Sequence, residues 1–358
     1  MSVYVIAEAG VNHNGSIDLA YKLIDLAVEA NADAVKFQTF VADSLVTKTA
    51  KKAGYQMDSG DADESQYSML KRLELTKPQF SDLQGYCHAK GIDFLSTAFD
   101  QVSLDFLCID LKLAKLKIPS GELTNAPFVL EHARTGCDLI VSTGMADIED
   151  IRAALSVIAF GYITKHGEAD PNMSNFEKAY SSFEGQKLLA KKVTLLHCTT
   201  EYPTPLEDVN LLAIDSMRQL FGLEVGYSDH TQGIIVPVAA AALGATVIEK
   251  HFTLDCSMDG PDHSASLAPN DLKAMIVAIR ATELALGCSE KKVTASELQN
   301  RSVIRKSIVA TSAIKKGELY SSANIGIMRP GTGLSPYHYW EIIGTRANSE
   351  VEVGETIE

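Results

Sequence analysis

The sequence has no Cys-x-x-Cys pair among its six cysteines, no basic-then-apolar leader before Val3 and no net basic charge. Nor does it hold an apolar run near the ~20 residues that cross a bilayer. Cys87, Cys108, Cys137, Cys198, Cys256 and Cys288 are scattered along the chain, which predicts a reduced, cytoplasmic protein rather than a disulfide-stapled one. The net charge of -14 argues against a nucleic-acid or anionic-membrane partner, because phosphate backbones repel such a surface unless a local basic patch overrides it. A small anionic ligand remains compatible, since a few Lys and Ser at one pocket suffice. With 358 residues, 46% hydrophobic and 22% charged, the chain can bury one large core and one small one.

What is present centres on Gly226-Tyr-Ser-Asp-His-Thr231 and Ile248-Glu-Lys-His-Phe-Thr253. Leu223–Tyr227 and Thr246–His251 read as short apolar strands, and Ile234–Leu243 between them has helical spacing. In such a unit the strands lie parallel and adjacent, so Ser228, Asp229 and His230 leave one strand on the rim where His251 leaves the next. A single strand-end histidine commonly serves as a hydrogen-bonding residue. Two on neighbouring strand ends point to a divalent ion that keeps open positions for water and substrate.

Upstream, the buried-strand pattern Val3–Glu8 ends on a carboxylate and is followed by a helix over Ser16–Ala30. Ala34–Thr39 is the second strand, with Lys36 and Gln38 on one face because strand side chains alternate. The polar excursion Val41–Ser65 has the length of a segment that covers a site. Helical spacing returns over Glu64–Leu73 and Lys77–Lys90, and four more strands start at Asp93, Ala114, Asp138 and Val193.

Eight alternating strand and helix units predict an α/β chain folded as a (β/α)8 TIM barrel over residues 1–288. The residues that break the apolar pattern gather at the strand C-terminal ends: Glu8, Lys36, Gln38, Thr97, Lys117, Ser120, Glu122, Ser142, Thr143, His197, Ser228, His230 and His251. Ser142-Thr143 can equally cap the helix expected over Ala146–Val157. Capping does not account for Lys36 and Lys117, since two lysines inside a barrel need an anion: a phosphate, or Glu8 or Glu122.

The polar stretch Gly161–Lys192 reads as an insertion with one helix, and 289–302 as a linker. From 303 to 358 the texture changes to short strands and turns (Ser307–Ala310, Ile314–Gly317, Ile325–Arg329, Val351–Gly354), a small β-rich module. Arg329 projects from the turn at Pro330-Gly331.

These motifs carry a resemblance. Ala7–Gly15, Val35-Lys-Phe-Gln-Thr39, Lys117-Ile-Pro-Ser-Gly-Glu122, Ser142-Thr-Gly-Met145, His197–Pro205, Gly226–His230, Glu249-Lys-His-Phe-Thr253 and Arg329-Pro-Gly331 together resemble the sialic acid synthase family across essentially the whole chain. The C-terminal module is similar to the antifreeze-like (SAF, β-clip) domain.

The resemblance implies a phosphoenolpyruvate-dependent, carbon–carbon bond-forming synthase. Its second substrate would be N-acetylmannosamine, giving N-acetylneuraminate and phosphate, or a 2,4-diacetamido-2,4,6-trideoxy hexose on the legionaminic or pseudaminic branch. It assigns His230 and His251 to a divalent metal, Mn2+ first, with Mg2+ or Co2+ also compatible. Lys36, Thr97, Lys117, Ser120, Ser142 and Ser228 fall to phosphoenolpyruvate, and Gln38, Glu122, Tyr202, Asp262 and Arg329 to the sugar. Glu8 is the candidate to deprotonate water, with Lys36 and Lys117 as its catalytic companions. The arginine would reach the partner subunit's barrel in a domain-swapped homodimer. Thr200, the region of Arg305 and the insertion depart from the more compact members, which leaves the sugar open.

Two other readings remain. A Schiff-base aldolase would use Lys36 or Lys117 as nucleophile and leave the histidines idle. A non-enzymatic carbohydrate-binding protein would leave the whole polar set without work.

Overall fold

A computed structural model describes residues 2–50 and 64–358, which form two units, Met1–Gly287 and Cys288–Glu358. In the first, β1 (Tyr4–Gly10), β2 (Ala34–Thr39), β3 (Asp93–Ala98), β4 (Lys115–Ile118), β5 (Asp138–Ser142), β6 (Val193–His197), β7 (Glu224–Asp229) and β8 (Val247–His251) pair in sequence order. β1 then pairs with β8, and the barrel closes. All pairs in it are parallel, so every strand ends on one rim.

Strand alternation sorts the side chains into layers. Ile6, Ala34, Leu95, Ile140, Leu196 and Val247 fill the interior as an apolar plug. At β7 the plug layer holds Gly226, where a Cβ would sit 2.4 Å from the Val247 carbonyl oxygen. Two residues further along these strands come Glu8, Lys36, Thr97, Ser142, Ser228 and Glu249, and two beyond some of those come Gln38, His230 and His251. The polar site is thus the layer that alternation places directly above the plug.

The helices start where their caps require. Ser16 caps Ile17–Glu29, and Thr76 and Asp147 make capping boxes for Lys77–Lys90 and Ile148–Ile163. Asp147 is therefore the cap that Ser142-Thr143 could have been. Thr143 instead donates to the Leu196 carbonyl at 2.9 Å.

Three segments differ from their expected form. The insertion carries two helices, Met173–Ser181 and Phe183–Lys192, capped by Asn172 and Ser182, and Ile148–Ile163 overruns its start. Phe176 packs edge-on against Phe160 at 5.2 Å, which ties the insertion to the outer layer. The stretch expected as a linker contains the helix Ala295–Ile304, begun by a Thr294–Glu297 capping box. The excursion Val41–Ser65 opens with the short helix Ala42–Leu45, while residues 51–63 of it lie outside the described residues.

The second unit holds an antiparallel pair, β9 (Ser307–Ala310) and β10 (Ile325–Met328), over a core that includes Ile308, Tyr320, Ile325 and Ile357. Ile314–Gly317 and Val351–Gly354 are not strands. Ile314 and Val351 make a single bridge, and Gly317 and Gly354, both at φ 86°, turn the chain away from extension. No helix among the described residues is long and apolar enough to cross a membrane.

Candidate active site

The polar layer opens into a cavity of about 330 Å³ on the C-terminal rim. It brings together Glu8, Lys36, Gln38, Thr97, Lys117, Ser120, Ser142, Tyr202, Ser228, His230, His251 and Asp262. One sequence-assigned residue of this unit stands elsewhere. Glu122, on the single turn Ser120–Glu122, accepts from Asn125 at 2.7 Å and is not a wall of the cavity. Arg329 belongs to the second unit, where its Nε donates to the Ile304 carbonyl at 3.0 Å.

At the floor, Lys36 Nζ lies 2.6 Å from Glu8 Oε2 and 3.6 Å from Glu249 Oε2, and donates to Thr97 Oγ1 at 3.1 Å. Lys117 Nζ lies 2.6 Å from Glu249 Oε1, to which Ser228 also donates at 3.0 Å. Glu249 was not among the sequence-assigned site residues, although it sits two positions before His251 and so shares its inward face. The anion the two lysines required is largely this carboxylate, together with Glu8.

Burial dominates the electrostatics. It raises the Glu8 carboxyl to about 7, against the pull of Lys36. Burial also opposes the charge on Glu249, but Lys117 and Lys36 outweigh it and hold that carboxyl below its ordinary range. Desolvation likewise works against Lys36, yet Glu249 and Glu8 prevail and its ammonium is held above the ordinary value. Lys117 is lowered by burial, with the Lys36 charge adding to the effect. Lys36 is thus held as a cation, which is the wrong state for a Schiff-base nucleophile.

Above this floor stand the histidines, with ring centroids 5.9 Å apart. His230 Nδ1 donates to the Thr199 carbonyl at 2.6 Å, which leaves its Nε2 carrying the lone pair. Burial lowers His230 to about 4 and His251 well below the ordinary value, so both rings are neutral. His251 Nδ1 is buried without a hydrogen-bond partner, 3.9 Å from Asp262 Oδ2. Two neutral imidazoles, one with an unsatisfied buried nitrogen, suit a divalent cation that takes its other ligands from water or substrate. No cluster of three or more His, Cys, Asp or Glu that could hold an ion occurs among the described residues.

Tyr202 lies against His230 at 4.0 Å between centroids. On one side Ser120 Oγ accepts from the Gly144 amide at 3.0 Å, where a Cβ on Gly144 would come within 2.8 Å of that oxygen. Phe40, Leu45, Met69, Leu70, Leu73 and Phe99 line another part of the cavity and pack together as one apolar cluster.

The NeuB family model matches residues 23–291 and the SAF domain model residues 305–358. The chain is 45% identical over 353 residues to the N,N'-diacetyllegionaminic acid synthase of Campylobacter jejuni, covering 99% of this chain and 98% of that one. It is 43% identical over 357 residues to the N,N'-diacetyllegionaminic acid synthase of Legionella pneumophila, covering 100% and 94%. Among solved structures, the N-acetylneuraminic acid synthetase of Leptospira borgpetersenii superposes with a TM-score of 0.66 at 30% identity, covering 84% of this chain and 90% of that one. The chain therefore belongs to the NeuB family, as an enzyme that joins phosphoenolpyruvate to an amino sugar through a new carbon–carbon bond.

Proposed function

We propose that the chain condenses phosphoenolpyruvate with the open-chain aldehyde of a 2,4-diacetamido-2,4,6-trideoxy hexose, releasing phosphate and forming a legionaminic acid-type sugar acid. The observation that carries the reaction is the stacking of a Lys36–Glu8–Glu249–Lys117 floor beneath the His230–His251 pair. The motifs alone point first to N-acetylmannosamine, and the two relatives matched over nearly their full length favour the diacetamido sugar. The apolar cluster of Phe40, Leu70 and Phe99 supports the same choice. A sugar hydroxyl buried there without a partner costs roughly 1–3 kcal/mol, whereas a deoxy methyl group does not.

The mechanism follows from the layers. Lys36 and Lys117, with Thr97, Ser120, Ser142 and Ser228, hold the carboxylate and phosphate so that C3 of the enol faces the aldehyde carbon. As the C3–C1 bond forms, positive charge develops at C2. Glu8, with a carboxyl near neutrality, takes a proton from the water that adds at C2. Collapse of that adduct expels phosphate with cleavage of the C2–O bond.

His230 and His251 would hold a divalent ion, Mn2+ or alternatively Mg2+ or Co2+, which when bound supplies Lewis-acid polarisation of the aldehyde oxygen. Two lysines and two carboxylates carry no net charge together, so an anionic substrate calls for a further cation or a proton on Glu8. We place the reaction in the cytoplasm, in keeping with six free cysteines. The active form would be a homodimer in which Arg329 completes the partner subunit's site.

The test is product analysis with phosphoenolpyruvate labelled with oxygen-18 at its bridging oxygen. The reading predicts labelled phosphate and a nine-carbon acid with the mass of the diacetamido product. Unlabelled phosphate, or no acid, contradicts it.

A further inference from the structure

The strand alternation that turns Ser228, Glu249 and His251 inward turns Asp229 and Lys250 outward, into the layer between the barrel and its helices. The two are register partners on β7 and β8 and form an ion pair on that outer face, where Asp229 is 0% exposed and Lys250 1%. The helix Ile235–Ala242, which packs against both strands, is made only of apolar residues. Neither Asp229 nor Lys250 is a wall of the catalytic cavity.

A buried ion pair of this kind gains little over well-packed apolar residues, because two charges have lost their water. What it adds is direction. Lys250 Nζ donates to Asp229 Oδ2 and, at 2.7 Å, to the Thr231 carbonyl. Asp229 in turn accepts from the Thr231 amide and from the Thr231 hydroxyl, each at 3.1 Å. The residues on both sides of His230 are thereby tied to each other and to the residue immediately before His251.

The two rings depend on this tie unequally. His230 has a bond of its own, from Nδ1 to the Thr199 carbonyl, and its backbone carbonyl accepts from the Thr204 amide at 2.9 Å. His251 Nδ1 has no hydrogen-bond partner, so the course of β8 sets where that ring stands, and Lys250 fixes the end of β8 to β7. We propose that Asp229 and Lys250 are positioning residues, holding His230 and His251 at the spacing at which two neutral imidazoles share one divalent ion. The inference rests on the reading of those histidines as the ion's ligands, and adds to it a pair that touches neither ion nor substrate.

The experiment titrates Mn2+ calorimetrically into the EDTA-stripped full chain, as wild type, as Asp229→Asn/Lys250→Met and as Leu189→Ala. The double variant exchanges the pair for neutral side chains of similar size, so no buried charge is left alone. The proposal predicts retained circular dichroism and a Mn2+ Kd weaker by about 10- to 100-fold. Leu189, buried on the helix Phe183–Lys192, controls for lost stability: Leu189→Ala should lower the urea midpoint and leave the Kd unchanged. If the double variant does not fold, Thr231→Val keeps the ion pair, removes the hydroxyl bond to Asp229 and should weaken Mn2+ binding in the same direction. Wild-type affinity in whichever of these variants folds, or an equal loss in Leu189→Ala, would overturn the proposal. A wild type that takes up no Mn2+ would instead remove the ion reading, and metal-free crystals would then decide the positioning. Ring centroids spread beyond 5.9 Å in the double variant would support it, and an unchanged spacing would overturn it.

Discussion

Lys117 Nζ and Glu249 Oε1 lie 2.6 Å apart although β4 and β8 stand on opposite sides of the closed barrel. The pair crosses the interior above the apolar plug, and Glu249 reaches Lys36 as well. One carboxylate thereby holds both lysines in place.

Glu249→Gln keeps the shape and removes the charge. Breaking a buried pair costs about 3–5 kcal/mol, so the urea midpoint should fall and the KM for phosphoenolpyruvate should rise as the lysines lose their anchor. An unchanged midpoint and KM would show that the two lysines are held by something else.

Glu8→Gln tests the base. General-base removal lowers kcat by about 10²- to 10⁴-fold. Because burial raises Glu8 to about 7, its basic form grows as pH rises through that value, and wild-type activity should climb with it. The variant should lose that limb; a limb that persists assigns the proton transfer to another group.

The layout explains how much was legible in the sequence. Strand alternation above short apolar runs was enough to foresee eight strands and most of the polar layer, because the period of two fixes the inward face. The same rule applied to Ile248-Glu-Lys-His251 puts Glu249 inward together with His251, but a carboxylate on an inward face carries no signal of its own until the lysines across the barrel are placed. Glu122, which is not a wall of the cavity, lies beyond the reach of that rule. It follows the strand end, where alternation stops and a single helical turn sets its direction. The helix Ala295–Ile304 was announced by a Thr-x-x-Glu box inside a stretch whose polarity reads as a linker.

Metal removal has a separate readout. Calorimetric titration of Mn2+ into protein stripped with EDTA should give one strong site per chain, lost in His230→Ala and His251→Ala while circular dichroism is retained. Wild-type-like Mn2+ binding in His251→Ala would contradict the histidine assignment.

Acid stability should report His132, which is fully buried with Nδ1 donating to the Phe128 carbonyl at 2.9 Å and Nε2 without a partner. Burial lowers it to about 4 from an unfolded value near 6.5, so between those values the unfolded chain binds the extra proton. Its contribution of about 3 kcal/mol is present above pH 6.5 and is lost as pH falls towards 4. The urea midpoint should drop across that window, and less steeply in His132→Phe; equal slopes would remove His132 as the cause.

The dimer proposal predicts complementation. His251→Ala and Arg329→Ala should each be inactive as homodimers, and co-expression should recover activity because one mixed site has an intact histidine and an intact arginine. No recovery would mean that Arg329 acts within its own chain or not at all.

The most direct measurement is phosphate release from phosphoenolpyruvate with Mn2+, comparing a 2,4-diacetamido-2,4,6-trideoxy hexose with N-acetylmannosamine, each with and without EDTA. The account predicts metal-dependent release with both, and a kcat/KM for the diacetamido sugar higher by about 10-fold or more. Preference for N-acetylmannosamine would contradict the sugar assignment, and absence of release with either sugar would contradict the reaction itself.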